Sequence, residues 1–163
     1  MLTVRRTSTT VECVELDELK TFLRIDYVQF DSVLNTCIIA AREWVENYTS
    51  TFWAKGVAAV KVSSLSGSTF NTYWAGLETV IDDDETEATI TQNAADYSYL
   101  NFVASIDTEY NLTVGIGTET PPQTVRLAIM ALAGQIFASQ TGEMGSTQAI
   151  KTMLMPFRKY LYL

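Results

Sequence analysis

Residues 30–49, FDSVLNTCIIAAREWVENYT, decide the fold. Phe30, Val33, Leu34, Cys37, Ile38, Ala41, Trp44, Val45 and Tyr48 recur at three- and four-residue steps. That spacing is one apolar face held over about five turns of α-helix. Asn35, Arg42, Glu43 and Glu46 take other faces, and Arg42 and Glu46 stand four apart, a spacing that allows them to pair for roughly a few tenths of a kcal/mol. Thr49, Ser50 and Thr51 end the helix. A helix with one long apolar face must bury it against a partner.

The partner comes late in the chain. Val125, Ala128, Ile129, Leu132, Ala133, Ile136 and Phe137 form a second helical stripe. Leu127, Met130 and Ala131 widen it, so this helix is expected to be buried on most sides. Thr120 suits its cap and Pro121 its first turn. Two shorter helices flank the pair. Leu16 to Ile25 places Leu16, Leu19, Phe22 and Leu23 at helical spacing, with Asp17 and Glu18 where the helix dipole favours acids. After Gly142 and Gly145, Ser146 or Thr147 starts a last helix through Ala149, Ile150, Met153 and Leu154.

Between the long helices the period changes. Val57, Val60 and Val62, then Leu77–Ile81, Ala88–Thr91, Tyr97–Val103 and Tyr110–Ile116, are strand candidates rich in Thr, Val, Ile and Tyr. Gly67, Asn71 and Gly76 punctuate a loop or hairpin. The expected fold is α+β, mainly α: a bundle of about four helices with an antiparallel β-hairpin or small-sheet insertion between the second and third. One domain, 1–163, is expected. Its parts are a flexible polar arm at 1–10, N-terminal helices at 16–51, the β insertion at 52–118, C-terminal helices at 120–155 and an apolar tail at 156–163. The arm has no apolar stretch of the signal-peptide kind, and no run is long enough to span a membrane.

Composition narrows function by exclusion. Eleven basic residues against 19 acidic give a net charge of −8, and histidine is absent. Without imidazole there is no Ser-His-Asp or Cys-His chemistry and no histidine-ligated metal. A groove gripping nucleic acid by its phosphates needs clustered lysine and arginine, which this chain lacks. Charged residues are 18% of the chain and apolar ones 47%. So few charges suggest that apolar surface is buried against other chains. Cys13 and Cys37 are too few for a disulfide framework and read as small core residues.

Most local motifs dissolve on inspection. Gly115-Ile116-Gly117 lacks the third glycine and the parallel βαβ context of a dinucleotide site, so its glycines serve a turn into the next helix. Trp44, Trp53, Trp74, Tyr73, Tyr97 and Tyr99 have no basic groove beside them for base stacking. Trp44 reads as core, and Trp53 and Trp74 as core or interface anchors. Glu43 and Glu46 read as solvated rather than as an acid–base pair. The run Asp82, Asp83, Asp84, Glu85, with Glu87, is contiguous and glycine-free, unlike a calcium loop. A solvated hairpin tip is its plainest reading. No metal ligand set, cofactor site or catalytic constellation emerges. The last eight residues, Pro156, Phe157, Arg158, Lys159, Tyr160, Leu161, Tyr162 and Leu163, are too apolar for a free tail. They are expected to dock on another chain or on their own domain.

Four stretches together resemble one family. Leu16-Asp17-Glu18-Leu19-Lys20-Thr21-Phe22-Leu23-Arg24-Ile25-Asp26 is similar to the opening helix of bacteriophage head–tail connector (adaptor) proteins. Ala40-Ala41-Arg42-Glu43-Trp44-Val45-Glu46-Asn47-Tyr48-Thr49 resembles their second helix, with Ser50 where a glycine is expected. Leu112 to Gly117 and Pro121-Pro122, running into Ala128-Ile129, are similar to their strand, turn and third helix. Met153-Leu154-Met155-Pro156-Phe157-Arg158 resembles their closing motif. Residues 52–110 depart most. The resemblance implies a structural virion protein, made in the host cytoplasm and placed at the neck. It implies a homo-oligomeric ring, usually of twelve, beneath the portal protein, extending the channel and offering a platform to a stopper or tail protein. Double-stranded DNA passes without specific binding, and no membrane is involved. On this reading 156–163 docks on the portal and 82–87 faces the channel. A tail-completion protein is the alternative, and a small enzyme a distant third.

Overall fold

The computed structural model describes residues 2–63, 69–72, 80–82, 88–93, 97–102, 109–139 and 145–158. In chain order the elements are β1 (Leu2–Val11), α1 (Leu16–Leu23), α2 (Asp31–Thr49), β2 (Lys55–Ser63), β3 (Thr69–Thr72), β4 (Val80–Asp82), β5 (Ala88–Asn93), β6 (Tyr97–Phe102), β7 (Glu109–Ile116), α3 (Gln123–Ser139) and α4 (Gln148–Leu154). Short 3₁₀ turns cover Val28–Phe30 and Met155–Phe157. The fold is α+β; among the described residues there are four α-helices, with six strands between the second and third. It divides into two compact units, residues 1–11 with 51–118 and residues 12–50 with 119–163.

The helical unit is built on α2 against α3. Leu34, Cys37, Ile38, Ala41 and Val45 are buried on α2, and Val125, Ala128, Ile129, Leu132 and Ala133 on α3. These are the stripes that the 3.6-residue period selects. α1 runs parallel to α3: Glu18 pairs with Arg126, and Leu23 lies against Gly134. A Cβ at residue 134 would stand 2.8 Å from Leu23 Cδ2, so the small residue sets how closely the two helices approach. Lys20 Nζ donates to Asp31 Oδ1 at 2.7 Å and ties the last turn of α1 to the first of α2. At the other end of α2, the Tyr48 hydroxyl donates to the Lys151 carbonyl of α4 at 3.4 Å.

Helix ends follow local chemistry. Arg24 takes a left-handed conformation, φ 57°, and the Ile25 N–H reaches back to the Lys20 carbonyl at 3.0 Å. Ser50 is left-handed too, φ 54°, its N–H on the Glu46 carbonyl. That is the position where glycine is favoured, because it has no Cβ to crowd the carbonyl. α4 is capped from Ser146, whose Oγ accepts the Gln148 N–H at 3.3 Å, while Thr147 makes no side-chain cap.

The β unit holds two antiparallel sheets, ordered β1-β2-β7-β4 and β3-β6-β5. The expected flexible arm at 1–10 is corrected: it is β1, paired along β2 from Leu2↔Val62 to Val11↔Lys55. Its threonines are β-branched, and a polar strand suits an edge exposed to water. Its partner lies about fifty residues away, beyond local sequence reading. The two glycines at the end of β7 also part company. Gly115 is a ladder residue opposite Val57, whereas Gly117 makes the turn at φ 82°. A Cβ on Gly117 would stand 2.0 Å from the Ala54 carbonyl oxygen.

Candidate assembly interface

The buried polar centre of the helical unit is one that sequence reading misplaced. Their spacing allowed Arg42 and Glu46 to pair, which they do, but Glu46 was read as solvated. Instead the side chains are only 4% and 7% exposed. Arg42 Nη1 donates to Glu46 Oε2 and Nε to Glu12 Oε2, both at 2.9 Å, with Glu43 3.7 Å away at the exposed margin. Burial alone lowers the guanidinium pKa, but Glu46, Glu12 and Glu43 outweigh it and hold it above its ordinary value. Glu12 is the residue just after β1, so this cluster fixes the start of the helical unit to α2. The reason for the misreading is rotational. Both residues border the apolar stripe, and a charged pair there is enclosed once α2 is covered.

Trp44 is corrected as well. It is half-buried, and its ring stacks on Tyr48 at 5.4 Å and 6° rather than entering the core. The Arg158 guanidinium lies over the other member of that stack, 5.1 Å from the Tyr48 centroid. Cys13 and Cys37 are buried free thiols, and burial pushes the Cys37 thiol above its ordinary range, away from nucleophilic use.

Three apolar patches remain open on the helical unit. Tyr27 and Val28, in the connection from α1 to α2, are 67% and 74% exposed. They sit at the end of a chain of edge-on rings, Tyr27 to Phe30 to Phe137. The sequence analysis gave Tyr27 and Val28 no role; the available signal was an apolar pair where a connection is usually polar. A second patch is a groove of about 500 Å³ lined by Asp17, Glu18, Thr21, Phe22 and Met130. Phe22 and Leu127 are each more than two-fifths exposed, so the side of α3 that stays open is the one carrying Leu127. The third patch follows α4, where Met155 and Pro156 are exposed and Phe157 is half-buried. Such patches fit contact with other chains better than chemistry on a small molecule.

The two sequence-predicted sites are partly outside the described residues. Of the tail, Pro156, Phe157 and Arg158 are described; Lys159, Tyr160, Leu161, Tyr162 and Leu163 lie outside. Of the acidic run, Asp82 is the last residue of β4, and Asp83, Asp84, Glu85 and Glu87 lie outside. Tyr73 and Trp74 lie outside too, whereas Trp53 is buried beside the Thr118 turn, its carbonyl accepting the Thr118 N–H at 3.1 Å.

Residues 13–69 match the family model of the phage gp6-like head-tail connector proteins. That span holds α1 and α2 with their connection. The fold as a whole is similar to chains in three solved particle structures. A chain in the neck of an empty gene transfer agent (GTA) particle, computed with C6 symmetry, matches with TM-score 0.76 at 13% identity, over 99% of this chain and 97% of that one. A chain in the virion of a native gene transfer agent particle gives 0.74 at 13% identity, over 99% and 97%. A chain in the neck of the native particle, computed with C12 symmetry, gives 0.71 at 14% identity, over 100% and 97%. At such identity the likeness is one of fold. No curated protein sequence matches the chain.

Proposed function

We propose that this chain is a head–tail connector subunit: a structural, non-enzymatic protein of a phage-like virion neck that forms a homo-oligomeric ring. The observation that carries this reading is the fold match over essentially the whole chain to neck chains, joined to the connector-family match at α1–α2. The necks of those particles were computed with C6 and C12 symmetry, which supports a twelve-subunit ring for this chain. The chemistry of the surface agrees. Open apolar patches suit contacts with neighbours, and a net charge of −8 suits a channel that DNA passes without sticking.

Finer assignments follow from the same reading. The segment 156–163 docks on the portal ring, its apolar residues buried and Arg158 and Lys159 meeting acidic partner groups. The run 82–87 contributes negative charge to the channel, and the opposite end of the ring receives a stopper or tail protein. Co-expression with the portal protein, followed by electron microscopy, tests the whole. A portal capped by a second ring is expected, and removal of residues 156–163 should leave a folded chain that no longer joins the portal. A ring found only at the distal end of tails would replace this reading with that of a tail-completion protein.

A further inference from the structure

Tyr48 meets the C-terminal segment twice. Its hydroxyl donates to the Lys151 carbonyl at 3.4 Å, and its ring lies beneath the Arg158 guanidinium, 5.1 Å from the ring centroid. The two contacts fall on either side, in sequence, of the turn Met155–Phe157, where α4 gives way to the apolar tail.

Pro156 explains why that turn needs holding. In an α-helix each carbonyl accepts the N–H four residues on. Pro156 has no N–H to offer Thr152. The Met155 N–H turns to the Thr152 carbonyl instead, in a 3₁₀ bond. The Lys151 carbonyl thereby loses the donor that a continuing α-helix would supply, and the Tyr48 hydroxyl takes that place. Past the proline the Arg158 N–H closes a second 3₁₀ bond, on the Met155 carbonyl at 3.2 Å. The backbone then leaves in an extended conformation at Arg158, φ −71° and ψ 122°. The guanidinium over the Tyr48 ring holds that exit by a cation–π contact.

The base of this clamp is firm. Tyr48 is the last residue but one of α2, on the turn that buries Val45 and Thr49, and its ring is stacked on Trp44. What the clamped turn offers outward is apolar: Met155 is 63% exposed and Pro156 is exposed beside it.

We infer that Tyr48 is a positioning residue for docking, clamping the 155–158 turn so that the apolar segment leaves the helical unit in one direction before any partner is met. The inference rests on the reading that residues 156–163 dock on the portal, and adds what aims them. A segment already held in shape loses less conformational freedom when it binds. A stacked guanidinium is held by its face, so this contact does not use the N–H fork that a partner carboxylate would take.

Two measurements on the full-length chain test it: affinity for the portal ring and amide exchange in the unbound chain. Tyr48→Phe keeps the ring and loses the hydroxyl; Tyr48→Leu loses both. Tyr48→Leu should weaken portal binding by about tenfold and Tyr48→Phe by about threefold. In unbound Tyr48→Leu the Met155 and Arg158 amides should exchange faster while those of α3 keep wild-type protection, a selectivity that general destabilisation would not give. Unchanged exchange at those two amides would overturn the clamp. Faster exchange there with wild-type portal affinity would overturn the positioning role. Removal of residues 156–163 separates the two claims. If the shortened chain still binds the portal, the docking reading falls and this inference with it; if it does not bind while Tyr48→Leu binds as wild type does, only the positioning falls. Should Tyr48→Leu fail to fold, Tyr48→Phe decides, and wild-type portal affinity in that variant refutes the inference.

Discussion

Arg42→Met is the sharpest probe of the helical unit. The Arg42 side chain is almost wholly buried, as is that of Glu46, its partner at 2.9 Å. Removing one member of a buried pair costs about 3–5 kcal/mol, because the remaining charge loses its counter-charge in a poorly solvated place. The bond to Glu12 adds less, since Glu12 is about a third exposed and water screens it. The loss therefore sits near the lower end, about 3 kcal/mol. The double variant Arg42→Met/Glu46→Leu has a different expectation. It removes both charges and keeps apolar volume, so the cost of burying ions disappears along with their attraction. It should recover to within about 1 kcal/mol of wild type. Urea unfolding followed by circular dichroism gives both values, and the cycle closed by Glu46→Leu gives the coupling. A single variant within about 0.5 kcal/mol of wild type would show that the pair contributes no net stability. A double variant as unstable as Arg42→Met alone would show that the arginine acts through packing rather than charge.

Ser50→Gly should stabilise the chain by about 1 kcal/mol, since Ser50 holds φ 54° at a helix end where a Cβ is crowded; Ser50→Ala should give no gain in the same urea unfolding. Gly117→Ala should destabilise by about 3 kcal/mol, combining the φ 82° penalty with a Cβ driven onto the Ala54 carbonyl, and an unchanged melting curve would contradict the turn geometry. Native protein should leave both thiols unreactive toward a disulfide reagent until urea unfolds it. Burial raises the Cys37 pKa, so above the unfolded-state value of 9.0 the unfolded chain has lost a proton that the folded chain keeps. The Cys37 contribution is thus complete below pH 9 and falls as pH rises past it. A Cys37→Ala variant should lose that part of the alkaline slope.

The helices were legible because each carries its own signal. α2 and α3 show stripes at 3.6-residue spacing, and the centre of each stripe is buried as that spacing predicts. β1 was illegible for the opposite reason. Leu2–Val11 alternates weakly, is mostly polar, and is a strand only because β2 pairs with it across the chain. Arg42 and Glu46 failed for a third reason. The stripe gives which side of a helix is covered but not how far the cover extends, and a charged pair at its margin falls either side of that line. The open patches were the least legible. Tyr27 and Val28 belong to no stripe that the helical period selects, and they sit at the start of the turn whose Phe30 packs on Phe137.

A closed ring makes a demand that a symmetric dimer does not: each subunit must carry at least two different contact surfaces. The helical unit meets this by itself. Phe30 meets Phe137 at the start of α2, and Tyr48 meets Lys151 and Arg158 at its end, so the 19-residue helix separates Tyr27 and Val28 from Met155 and Pro156 by about 28 Å. Two unlike open ends so far apart can meet two different neighbours, as a head-to-tail arrangement requires. That is what the proposed ring asks of each subunit. Ser50 belongs to this argument from the side of stability. The chain tolerates a strained helix end at Ser50, φ 54°, where glycine would be unstrained, and in the proposed ring the stability contributed by neighbours would offset that cost.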